Sequence, residues 1–107
     1  MAISPTQRTL KRLREKEEYP LVTIVERWNA FAKIRQDLFG IIDILAIDTK
    51  GNTVGLQVTS YSNISARIKK MENSDAISHL RDANWQLIVE GWHKKDNKWV
   101  SRIVDIS

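Results

Sequence analysis

The spacing of apolar and polar residues changes several times along the chain, and each change marks an element. Residues 5–18 (PTQRTLKRLREKEE) carry a narrow apolar stripe at Leu10 and Leu13 among charged neighbours. The stripe predicts a helix capped by Ser4, opened at Pro5 and stopped by Pro20. Residues 21–28 (LVTIVERW) are β-branched and predict a first strand, whereas 29–38 (NAFAKIRQDL) has no clear period and reads as a loop with room for a helical turn. Residues 39–48 (FGIIDILAID) are almost continuously apolar, the pattern of a second strand buried on both faces. Thr49-Lys50-Gly51 reads as a three-residue hairpin loop with Gly51 in the left-handed position, returning the chain along a third strand at 52–60. Helical spacing then follows. Asn63 or Ser62 can cap a helix through ISARIKKM, and Ser74 can begin another through DAISHLRDA. Residues 85–92 and 98–106 are the fourth and fifth strands, joined by the polar turn Lys95-Asp96-Asn97.

This order predicts an α/β fold in one domain covering residues 1–107. An antiparallel three-stranded meander leads through a helical crossover to a fourth strand, and a right-handed crossover makes the third and fourth strands parallel. The fifth strand lies at an edge, and helices flank the mixed sheet.

One polar group sits where polarity is expensive. Asp43 interrupts the run Ile41-Ile42-Asp43-Ile44-Leu45, and a buried carboxylate needs a partner or a metal. With 49–51 as the loop, Asp48 faces Asn52, which places Asp43 opposite Gln57. Gln57 and Thr59 are two residues apart and share a face, so the register predicts a polar cluster of Asp43, Gln57 and Thr59 on an apolar sheet. A purely structural acid hydrogen-bonded by Gln57 is the competing reading. Gly40 precedes the cluster, and Arg35, Asp37, Arg67, Lys69 and Lys70 on flanking segments can rim it with charge.

These residues resemble the PD-(D/E)XK nuclease superfamily, in particular Holliday-junction resolvases and the VRR-NUC group. Gly40-Ile41-Ile42-Asp43 is similar to the stretch that carries the family's metal-binding aspartate, and Gln57-Val58-Thr59 falls where the family has Glu/Asp-x-Lys. The resemblance implies a restriction-endonuclease-like fold and metal-dependent hydrolysis of DNA phosphodiesters, including branched or structured DNA. It implies Mg2+ or Mn2+ held by Asp43, by Gln57, by the Val58 carbonyl, with Glu26 as a further candidate carboxylate. Thr59 stands in the lysine's position and is expected to place water or a ligand. Arg67, and after it Lys69 or Lys70, are candidates to replace the missing cation. Gln7 lies near the place of the family's first-helix glutamate, and Glu15, Glu17 and Glu18 lie toward the helix's far end. Arg35, Arg67, Lys69 and Lys70 are the expected nucleic-acid contacts. The alternative is a catalytically inactive nuclease fold that binds nucleic acid or serves as a protein interaction module.

Composition narrows the choices without replacing them. Cysteine is absent, which removes disulfides, thiol nucleophiles and thiolate zinc sites and suits a cytoplasmic, intracellular setting. No apolar run is long enough to span a membrane, and the basic first 20 residues lack a signal-type apolar core. The formal charge of +4 is a mild bias toward anionic partners. It is divided among clusters at Arg8–Lys16, Arg27–Arg35, Arg67–Lys70 and Lys94–Arg102, the first of which reads as a solvated helix face. Trp85 and Trp92 differ by an odd number and should face opposite sides of the sheet, leaving at least one tryptophan exposed or at an interface. His79 and His93 have no ligand-spaced partner, and no P-loop or Gly-x-Ser-x-Gly motif occurs. The small surface available for DNA favours a homodimer, and a bare domain of this size suits a phage or mobile element.

Overall fold

The computed structural model describes residues 3–107. The first helix, α1 (Pro5–Arg14), begins as expected, with the Ser4 hydroxyl accepting from the Gln7 N–H at 3.2 Å. It ends at Arg14 and does not run on to residue 18, because no apolar side chain beyond Leu13 anchors another turn. The expected strand 21–28 divides into β1 (Leu21–Ile24) and β2 (Arg27–Asn29). The segment expected as a loop instead supplies β3 (Ile34–Gln36), which pairs with β2 in a separate two-stranded sheet. The second expected strand shortens to β4 (Ile44–Ile47). Phe39 and Gly40 both have positive φ, at 55° and 77°, so residues 37–40 form a turn that no strand can contain.

Beyond this point the expected elements follow in the expected order, although the fourth strand runs on to Lys95 and Asn63 caps its helix without a side-chain hydrogen bond. Strand β5 (Thr53–Ser60) pairs antiparallel with β4 from Ile44↔Leu56 to Ile47↔Thr53, the expected register, and the Asp48 N–H donates to the Asn52 carbonyl at 3.0 Å. A 3₁₀ turn at Tyr61–Asn63 leads into α2 (Ile64–Glu72), and α3 (Ala76–Asp82) completes the crossover. Strand β6 (Gln86–Lys95) then lies parallel to β5, and β7 (Lys98–Asp105) closes the antiparallel edge. The five-stranded mixed sheet has the order β1-β4-β5-β6-β7. Among the described residues no helix is long and apolar enough to cross a membrane.

Alternation along β5 and β6 divides the core in two. On one face Val54, Leu56 and Val58 meet Leu10 and Leu13 of α1; on the other, Leu87 and Val89 meet Ile64, Met71, Ile77 and Leu80 of α2 and α3. Trp85 packs on the second face and Trp92 on the first, as their spacing requires, while Trp28 and Trp99 are exposed. Gly91 lets α2 close on the sheet, since a Cβ there would collide with the Ile64 side chain.

The first helix is not simply a solvated basic face. Arg12 reaches down to fully buried Glu90, with Nε and Nη2 each donating to a carboxylate oxygen at 2.8 Å. The Ser101 hydroxyl donates to the same carboxylate at 2.7 Å, and Trp92 Nε1 donates to the Thr9 hydroxyl at 2.8 Å. Two polar contacts therefore set the position of α1, while Leu10 and Leu13 supply the apolar area.

Removing one partner of a buried ion pair strands the other charge. Arg12→Leu is therefore expected to destabilise the protein by about 3–5 kcal/mol, whereas Arg12→Leu combined with Glu90→Leu loses much less. Urea denaturation of both variants checks this, and equal losses would contradict the coupling.

Candidate metal centre

Two hairpins meet to build the site. Asp43 immediately precedes β4, and its N–H donates to the Leu56 carbonyl at 2.8 Å, so it lies beside β5 just beyond the last paired residues, Ile44↔Leu56. Asp43 is only 4% exposed and Gln57 is fully buried. The Asp43 carboxylate accepts from Gln57 Nε2 at 2.6 Å and from the Val58 N–H at 2.8 Å. The expected neighbours Asp43 and Gln57 do meet, through side-chain contact and not through the strand ladder, and β5 delivers two donors to the acid.

The second hairpin is the one that the sequence does not reveal. Strands β2 and β3 pair Arg27 with Gln36 and Asn29 with Ile34, so one further step places Glu26 opposite Asp37 at the base of the arm. The Val25 N–H donates to the Asp43 carbonyl at 2.8 Å and ties that base to the main sheet. The Leu38 N–H donates to the Ile42 carbonyl at 2.9 Å and brings the chain back to Asp43. Carboxylate oxygens of Glu26, Asp37 and Asp43 consequently lie within 4.8 Å of one another.

Cations and an amide complete the arrangement. Arg35 Nη1 pairs with Glu26 at 3.1 Å, and Lys70 Nζ on α2 stands 3.5 Å from Asp37. Lys70 also donates to Gln57 Oε1 at 3.4 Å, while Gln57 Nε2 reaches Asp37 at 3.3 Å. Gln57 therefore turns its nitrogen toward the carboxylates and its oxygen toward Lys70. In this arrangement its nitrogen organises the acids, and its oxygen, the ligand atom expected from the sequence, faces Lys70. Val58 contributes its N–H. Thr59 is buried on the same strand, and its hydroxyl makes no hydrogen bond to the carboxylates. Of the candidate replacement cations, Lys70 is the one that reaches the cluster. Among the described residues, neither Arg67 nor Lys69 hydrogen-bonds to these carboxylates.

Asp37, expected on the rim, is one of the three converging acids. The signal was present in the segment 26–37, which begins with Glu26, ends with Asp37 and holds Asn29 where a turn can start. Without a recognised hairpin, nothing brought its two ends together.

Burial raises the Asp43 carboxyl from the ordinary 3.8 to about 7, against the lowering effect of the Val58 N–H, and the neighbouring Asp37 adds to the rise. The donor set is entirely oxygen, which suits a hard divalent cation and gives a soft one no thiolate or imidazole. The acidic triad could hold such an ion. A cleft of about 560 Å³, lined in part by Arg27, Arg35, Asp37, Phe39 and Lys70, gives access from solvent.

No family model matches this chain, and no curated protein or solved structure matches it either. The residues and their geometry therefore carry the functional reading.

The raised carboxyl makes stability depend on pH in a definite sense. Between 3.8 and about 7 the folded protein keeps a proton at Asp43 that the unfolded chain has released. That contribution is complete below the unfolded value and is lost as pH rises through the folded one. Asp43→Asn stays neutral, so its stability relative to the parent should improve by about 2–4 kcal/mol between roughly pH 4 and pH 8. Urea denaturation without divalent ions tests this; a pH-independent difference would exclude the shift.

Proposed function

We propose that the protein is a metal-dependent nuclease that hydrolyses phosphodiester bonds, with DNA as the expected polymer. The observation that carries this reading is the convergence of Glu26, Asp37 and Asp43 within 4.8 Å, beside the ammonium group of Lys70. The resemblance of Gly40–Asp43 and Gln57–Thr59 to PD-(D/E)XK motifs supports it, with Lys70 on α2 in the role the family gives to the strand lysine.

Glu26, Asp37 and Asp43 are the residues that would hold Mg2+ or Mn2+. A divalent ion at such a site polarises a phosphoryl oxygen and lowers the pKa of its water. The remaining work falls to the chain itself. Gln57 donates to Asp43 and Asp37 and keeps their carboxylates facing each other. The Val58 N–H fixes the Asp43 carboxylate in the sheet. Lys70, 44% exposed at its side chain, is open to an incoming phosphate and can balance the negative charge that develops during hydrolysis. Arg35 stands at the opposite rim, held by Glu26.

Supercoiled, linear and branched DNA, and RNA, incubated with Mg2+ or Mn2+, test the proposal. Asp43→Ala and Asp37→Ala should each abolish metal-dependent cleavage, and Lys70→Ala should slow it by about 10²–10³-fold. Cleavage that survives Asp43→Ala would remove the site from the reaction. Salt-sensitive binding with no cleavage under any metal would leave an inactive nuclease fold, and no binding at low salt would remove both readings.

A further inference from the structure

The β2–β3 arm has features that the metal centre does not explain. From Arg27 to Gln36 it carries Arg27, Lys33 and Arg35 and no acidic residue. It stands apart from the main sheet as a two-stranded ribbon. Phe31 at its tip is fully exposed (102%), and Trp28 and Ile34 are 60% and 50% exposed. Large apolar side chains in open solvent add nothing to a core.

The arm is nonetheless locally built. Asn29 Oδ1 accepts from the Phe31 and Ala32 N–H groups at 3.0 and 3.1 Å, and Lys33 takes a positive φ of 55° to close the turn. This turn holds Phe31 outward. Trp28 pairs across the ribbon with Arg35, placing an aromatic ring and a cation on one face. That ring lines a second cleft, of about 780 Å³, between the arm and α1; Gln7, Lys11, Arg27 and Arg35 line it too, with Glu26 at the acidic cluster.

We infer that the arm and this cleft bind an unpaired segment of nucleic acid, with Trp28 and Phe31 stacking on bases while Lys11, Arg27 and Lys33 follow phosphates. Where the strand leads, from the cleft to the Glu26 end of the acidic cluster, rests on the nuclease reading; the binding itself does not. Charge complementarity selects a polyanion, and the aromatic rings select one whose base faces are open. Every base offers a π-face when unstacked, whereas a duplex hides those faces. A two-stranded ribbon can also enter a major groove, but groove reading uses polar side chains against base edges. This ribbon presents Trp28, Phe31 and Ile34. The substrate class is thus single-stranded nucleic acid or the unpaired part of a branched one.

Fluorescence anisotropy in excess EDTA measures binding apart from cleavage. The probes are a labelled single-stranded DNA, an RNA of the same sequence and the corresponding blunt DNA duplex. The single strand should bind at least about tenfold more tightly than the duplex. Trp28→Ala and Phe31→Ala should each weaken single-strand binding by roughly five- to fiftyfold and leave duplex binding within about twofold. Phe31→Leu should lose nearly as much as Phe31→Ala, because stacking needs a ring. The side chains are exposed, so unchanged thermal unfolding verifies that the variants fold. Tighter binding of the DNA or of the RNA strand identifies the polymer, and either supports the inference. Equal affinity for strand and duplex, or single-strand affinity unchanged by both alanine variants, overturns it. Arm-dependent binding without metal-dependent cleavage removes only the nuclease proposal. Cleavage without arm dependence removes only this one.

Discussion

The buried carboxylate of Asp43 governs the architecture around it. A carboxylate in the middle of a sheet is tolerable only where donors or a cation meet it. The Val58 N–H and the Gln57 amide meet part of that need from the neighbouring strand. Their hydrogen bonds leave Asp43 beside Asp37 and Glu26, and the charge of Asp37 makes its ionisation harder still. Burial and a like charge therefore oppose ionisation of Asp43, at the centre of a triad whose oxygens could hold a hard cation. A shift of this kind is characteristic of functional clusters more than of structural ones.

The same constraint explains why the strands on either side are short. Past the end of β1 at Ile24, the Val25 N–H still donates to the Asp43 carbonyl in the same register, and Glu26 then turns inward. Strand β4 starts only at Ile44, because the preceding turn, with Phe39 and Gly40 at positive φ, has to carry the chain from Asp37 back to Asp43. Between these two interruptions the chain projects as the β2–β3 arm. Site and arm are consequences of one break in the sheet, which is why basic and aromatic side chains stand directly beside the acids.

On the opposite face the sheet is held by different means. Glu90 occupies a central strand with no exposure and is neutralised by Arg12, with Ser101 adding a third hydrogen bond. The pair gives α1 a specific position over β6, which a stripe of only two leucines would fix less sharply. In that position α1 forms the second wall of the cleft lined by Trp28 and Lys11.

Local pattern is enough to predict the mixed sheet, the helical crossover and the Asp43–Gln57 contact. Each follows from local periodicity, turn chemistry or the register of one short hairpin, all of which act between residues close in the chain. The alternation of β5, for instance, assigns Gln57 and Thr59 to one face whatever surrounds them. The other features of the site come from long-range packing. Asp37 and Glu26 become partners through a hairpin of weak propensity, Lys70 is chosen over Arg67 by the rotation of α2 on the sheet, and Arg12 finds Glu90 across 78 positions of chain. Propensity does not encode these meetings. They depend on which surfaces pack, and packing decides which charges are desolvated together.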